Sequence, residues 1–198
     1  SDYVGYVRRL LERPDESAPN FGEYDLRLFA DFDAFHDAIM RRDREVGLSR
    51  VLAGYAWEWK SRKNSAAFDI ELGTKQLQWN TTSKDWINSS NSVREVGSIH
   101  TVQGYDLNYA GVIIGGDLKL DPVSGRTVFD RATYFDRRGK SNNNFLGQKF
   151  TDEDLLEYVR NIYGVLLSRG MLGTYVYVCD PALRQRLAEL LPGPSGSR

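Results

Sequence analysis

The sequence predicts an α/β domain: a mostly parallel sheet with helices on both faces. Segments of helical period alternate with short apolar runs along the chain, the order expected of a parallel sheet whose crossovers are helices. Two of those runs, residues 110–116 and 174–179, are apolar at nearly every position, as strands buried on both faces are. No internal repeat breaks the alternation.

Taken in order, residues 2–12 carry Tyr3, Tyr6, Val7, Leu10 and Leu11 near a 3.6-residue spacing and read as an amphipathic helix. Residues 14–22, rich in Pro, Asn, Ser and Gly, form a loop. Residues 24–30 alternate like a strand. Asp31 or Asp33 can cap the helix that follows, whose buried side is marked by Phe35, Ile39 and Val46. Residues 50–56 are a compact apolar strand. Residues 57–92 hold all four tryptophans between short strand-like pieces, and read as a Trp-rich insertion or an irregular β-rich lobe.

Residues 96–99 form a short strand, closed by a turn at 101–104, and a Val/Ile-rich strand follows at 110–116. Residues 117–150 are polar, with a hairpin expected around 122–125 and a second insertion possible across the segment. Thr151 with Asp154 makes a capping-box start for a helix carrying Leu155, Leu156, Val159, Ile162, Tyr163, Leu166 and Leu167. Gly170 and Gly173 are expected to stop it. A strand at 174–179 follows, and Pro181 opens a last helix to about Leu191. One domain over 1–191 is expected, with a flexible tail at 192–198.

Bulk properties constrain function only loosely. Hydrophobic residues at 41% and charged residues at 27% are those of an ordinary globular chain. No apolar run approaches the roughly 20 residues of a membrane span, and the first residues lack a basic-then-apolar signal. With a single cysteine, Cys179, no internal disulfide can form. A cytoplasmic protein without membrane partners is expected. A net charge of −1 gives no electrostatic signature of nucleic acid. The basic cluster Arg137, Arg138 and Lys140 reads as a solvated loop.

Two segments can carry chemistry. In the first, Thr101, Gln103, Gly104 and Asp106 cluster at a turn before a strand. Turns at strand ends of open α/β sheets are where ligands bind; glycine lets backbone approach a phosphate, and Gln can orient a phosphate or a water. The plain alternative is a turn whose polar side chains satisfy its own backbone. In the second, a long helix ends at Leu167-Ser168-Arg169 and a strand follows at once. Arg169 there can complement the helix dipole, or act as a cation aimed at a transferring phosphoryl group.

The pair resembles motifs V and VI of superfamily 1 helicases: Thr101, Gln103-Gly104 and Asp106 for the first, and Leu166-Leu167-Ser168-Arg169 before a strand for the second. Longer phrases resemble the Schlafen group 3-like DNA/RNA helicase family: residues 51–59, 96–104, 165–171 and 173–178. The resemblance runs from about Ser1 to Leu187. It implies the second RecA-like domain of a helicase or translocase with a P-loop NTPase-type fold. Arg169 would reach the γ-phosphate of ATP. Gln103 and Gly104 would line the same cleft, and Asp106 would be a nucleotide-side or linking carboxylate. His100 and Thr101 would couple the cleft to DNA or RNA. ATP and Mg²⁺ would be held mainly by an N-terminal RecA-like domain outside this chain. No phosphate loop is expected here: Gly139-Lys140-Ser141 copies its end, but position 134 is Tyr where Gly is needed. The chain alone is expected not to hydrolyse ATP.

Two other readings compete. Trp57 and Trp59, on one face of a strand, suit a platform for unstacked bases in a non-catalytic single-stranded nucleic-acid or protein binding module; core packing is the plain alternative. Asp25 with Glu58 and Lys60 faintly copies the carboxylates and lysine of metal-dependent nucleases.

Overall fold

The computed structural model describes residues 2–136 and 149–194. Five parallel strands form the main sheet in the order β1-β9-β6-β2-β5: Asp25–Leu28, Gly170–Val178, Leu107–Ile114, Ser49–Ala53 and Val96–Gly97. Alternation along the strands feeds two cores. Leu52, Val112 and Val176 face one cluster, and Val51, Ile113 and Tyr175 face the other. Every strand side chain in these triplets is nearly inaccessible to water, which explains why the central strands are apolar throughout.

The first face is covered by α1 (Tyr3–Glu12), the short α3 (Ile99–Val102), α4 (Asp152–Leu167) and α5 (Pro181–Leu190). The second is covered by α2 (Phe32–Val46), with Phe35 and Ile39 fully buried against it. The α/β arrangement with helices on both faces is therefore that expected. The capping box of α4 is present in full: Thr151 and Asp154 each bind the other's backbone N–H. Asp31, not Asp33, caps α2, accepting from the Ala34 N–H at 2.8 Å; Asp33 instead accepts from Thr74.

Residues 54–95 cross from β2 to β5 through a lobe. It contains the hairpin β3 (Ile70–Leu72) and β4 (Lys75–Leu77) and a 3-10 turn at Trp86–Asn88. Trp79 bridges to Val96, so the lobe is stitched to the sheet edge. Residues beyond β6 form the expected hairpin, β7 (Leu118–Leu120) against β8 (Thr127–Phe129).

Several expectations are corrected. Val46 is 43% exposed: α2 closes there at Gly47 and turns its last residue off the core. Gly170 and Gly173 do not stop α4, which ends at Leu167 with Ser168 as cap; both lie inside β9. Glycine is needed at 170 for space, since a Cβ there would stand 2.0 Å from the Gly173 carbonyl oxygen. Residues 54–60 are not a strand, so Trp57 and Trp59 share no strand face. Pro192 is no loose tail, because its carbonyl accepts from the Leu28 N–H at 2.8 Å. Among the described residues no helix is long and apolar enough to cross a membrane.

Candidate functional site

The two motif segments meet at the amino ends of β6 and β9. The Leu107 N–H donates to the Arg169 carbonyl at 2.9 Å, and Leu107 pairs with Gly170. This register sets Asp106 beside Arg169, with Nη1 and Oδ1 3.8 Å apart. That separation is beyond hydrogen-bond range, and the Asp106 side chain is 64% exposed, so the pair is loose. The Arg169 Nε–H donates to the Val165 carbonyl at 3.3 Å, at the negative end of α4. Its Nη atoms make no hydrogen bond among the described residues. The guanidinium is thus tethered at one edge, with its outer fork available.

Gln103 and Gly104 are exposed, on the turn that runs within three residues into Asp106. The turn is no simple hairpin. Ser98 and Thr101 nucleate one turn of helix, α3, and the Tyr105 N–H closes back on the Val102 carbonyl. Gly104 takes φ +84°, and nothing stands within 4 Å of where a Cβ would be, so glycine is required by conformation rather than by crowding.

Thr101 does not reach outward as the nucleic-acid role requires. It is 2% exposed; its hydroxyl accepts from the Ser98 N–H at 3.0 Å and donates to the Ser98 carbonyl at 2.8 Å. Its work is to shape the turn. His100 is exposed, and its ring lies 5.8 Å from that of Tyr55. This pair sits beyond the carboxyl end of β2, away from Arg169. Trp57 and Trp59 follow the same strand end but pack against the other core, on the opposite face from Tyr55. Both are half-buried and lean on the buried Trp79, at 6.5 and 6.3 Å between centroids. Packing therefore uses part of each ring and leaves part open. Trp79 and Trp86, at 2% and 0% exposure, are core.

The carboxyl end also holds the most perturbed acid. Asp117 is buried, and burial pushes its carboxyl up to about 7, against the hydrogen bond it accepts from Tyr163 Oη at 2.6 Å. Tyr163 Oη in turn accepts from the Gly115 N–H at 2.9 Å. A perturbed acid is a candidate catalytic group, but this one is enclosed by its own partners and braces the loop after β6.

The nuclease pattern is not assembled. Asp25 starts β1 and is engaged by Arg27, Arg42 and Tyr175, whereas Glu58 and Lys60 follow the opposite, carboxyl end of β2. Among the described residues no three His, Cys, Asp or Glu side chains could hold a metal ion. Gly139-Lys140-Ser141 and the cluster Arg137, Arg138 and Lys140 lie outside the described residues.

Comparison with known proteins gives the family. Residues 1–180 match the family described as Schlafen group 3, DNA/RNA helicase domain. The chain belongs to that family. It is also 33% identical over 179 residues to the uncharacterized protein YPL245W of Saccharomyces cerevisiae, an alignment covering 87% of this chain and 38% of that protein. The chain thus spans well under half the length of its curated relative. No solved structure matches.

The signal missed in the sequence is basic. Lys60, Arg62 and Lys63 are all exposed on one turn of the lobe. Three cations within four residues were there to be read, although their projection depends on the fold.

Proposed function

We propose that this helicase-family domain is the second RecA-like half of an ATP-dependent motor on DNA or RNA, with Arg169 as its arginine finger. The carrying observation is the Arg169 guanidinium, tethered at Nε and open at its Nη fork, beside Asp106, into which the exposed Gln103-Gly104 turn leads. ATP with Mg²⁺, held mainly by a partner RecA-like domain, would supply the phosphoryl group transferred to water. Arg169 would set positive charge against the negative charge that develops on the departing phosphate oxygens. Gln103 would hydrogen-bond the γ-phosphate or the attacking water, and the left-handed Gly104 would let backbone approach it. Asp106, loosely paired with Arg169, would keep the guanidinium on this edge until the nucleotide arrives.

The opposite end of the sheet suits nucleic acid, through His100, Trp57 and Trp59. α3 links the two ends over very few residues, so a shift of the turn at Gln103 can move His100. Motif V would couple the sites in this way, with the Thr101 hydroxyl as its internal strut.

The test is Arg169→Ala in the longer protein that carries the partner domain. ATP binding should stay mostly intact, while turnover falls by on the order of 10³–10⁵. Unchanged turnover would remove Arg169 from the mechanism. The present chain alone should hydrolyse ATP at background.

The half-open tryptophans favour one second reading, a binding module that ignores ATP. Its mark would be oligonucleotide affinity insensitive to both ATP and Arg169→Ala in the longer protein, but reduced by Trp59→Ala.

A further inference from the structure

The turn after Trp59 has a construction that core packing does not require. Ser61 donates twice to the Asp69 carboxylate, from N–H at 2.8 Å and from Oγ at 2.5 Å. Asp69 is 5% exposed and also accepts from the Trp79 N–H at 2.9 Å. Asp69 thereby ties the turn to the buried tryptophan. The Lys63 N–H and Asn64 N–H both close on the Lys60 carbonyl, at 3.0 and 3.1 Å. Further along, Gln78 Nε2 donates to the Ser65 and Ala67 carbonyls at 2.8 and 2.7 Å. The backbone is held from both sides, by Asp69 and Gln78.

Held on this frame, Lys60, Arg62 and Lys63 are exposed, and among the described residues none of them forms an ion pair. The Arg62 guanidinium lies over the Trp59 ring at 5.6 Å. Elsewhere Arg9, Arg13, Arg42, Lys75, Lys119, Arg126, Arg131 and Arg186 each face a carboxylate. Arg8, Arg41, Arg44, Lys84 and Arg94 are exposed without an ion pair among the described residues, but they are scattered, whereas the turn gathers three such cations within four residues. In a chain of net charge −1, these three cations outnumber the neighbouring carboxylates of exposed Glu58 and buried Asp69, a small local surplus on a braced turn beside part-open indoles.

We propose that the turn at 60–64 contacts the phosphate backbone of single-stranded nucleic acid, with Lys60, Arg62 and Lys63 as the cations. This rests on the nucleic-acid part of the proposed function and adds to it the residues that supply affinity. Exposed cations on a fixed backbone neutralise phosphates without first ordering a loop. The adjacent Trp57 and Trp59 rings offer π faces that accept any base. The contact would be sequence-tolerant and salt-dependent, since each neutralised phosphate releases counterion.

The experiment is fluorescence anisotropy of this chain with labelled dT20 and U20 over a salt series. The triple variant Lys60→Ala/Arg62→Ala/Lys63→Ala is compared with wild type and with Lys84→Ala, an exposed lysine elsewhere in the lobe. At about 0.7 per phosphate on a single strand, the triple variant should lose about 2 from the magnitude of the log–log salt slope and bind more weakly. Lys84→Ala should follow wild type. Wild-type affinity and slope in the triple variant would overturn the inference alone. Failure of wild type to bind either oligonucleotide at low salt would overturn the nucleic-acid reading, and the inference with it. Loss of binding on loss of fold is separated by thermal unfolding and by Arg62→Glu, a single exposed change that should also lower the slope.

Discussion

Arg50 and Arg169 each stand at the amino end of a central strand, and their surroundings could hardly differ more. Arg50 has 8% of its side chain exposed. Its guanidinium donates to Asp43 at 2.6 Å, to Ser92 Oγ at 2.9 Å, and to the Ser49 and Ile87 carbonyls at 2.9 Å each. The donor set is consumed in binding the lobe to the sheet. Arg169 has 25% exposure, one weak hydrogen bond and a carboxylate neighbour at 3.8 Å. A guanidinium whose donors are satisfied inside the fold can do nothing else. One left partly undirected at a domain edge can answer a charge that comes and goes.

The sharpest way to break this contrast is stability. Arg50→Ala strips the charged partner from a mostly buried carboxylate, leaving it the Ser49 N–H, and removes a donor from the Ser49 and Ile87 carbonyls. It should cost on the order of 3–5 kcal/mol in urea unfolding. Arg169→Ala should stay within about 1 kcal/mol. Equal losses would show that Arg169 is structural after all.

A second test uses pH. The fold favours protonated Asp117, whose carboxyl is raised from 3.8 to about 7 by burial. A raised folded pKa means the native state binds the extra proton. This group's contribution is therefore most favourable below about pH 4 and is lost as pH rises to about 7. Asp117→Asn can still accept from Tyr163 and should remove that decline, gaining on wild type most at pH 8. Parallel stability–pH curves for the two proteins would refute the assignment.

Smaller effects separate the two ends of α3. Thr101→Val removes the hydroxyl that caps the helical turn and should cost about 0.5–2 kcal/mol by thermal unfolding. Asp106→Asn weakens only a loose, exposed pair and should shift stability by less than about 1 kcal/mol. In the longer protein it should alter turnover more than stability. The reverse order would make Asp106 the structural residue and Thr101 the outward one.

Local signals were read well where they are complete in a short window. The capping box at Thr151 and Asp154, Pro181 at a helix start, and the apolar run of β6 each encode their element within a few residues. The segments that hold Gln103-Gly104 and Arg169 were legible as candidates because both carry long family-specific phrases. The lobe was not: β3 and β4 are three residues each, too short for a period to show. Its form rests on side chains such as Asp69 and Trp79.

The order of residues thus specifies which segments are strands and helices, and which polar groups are available at their ends. It does not specify neighbours. β1 lies beside β9, and Asp106 beside Arg169, because five parallel strands settle into one register across gaps of tens of residues. The same register hides Thr101 and Arg50 and leaves His100 and Arg62 exposed. Exposure of a polar side chain follows from what packs over it, and that packing is built by residues distant in the chain.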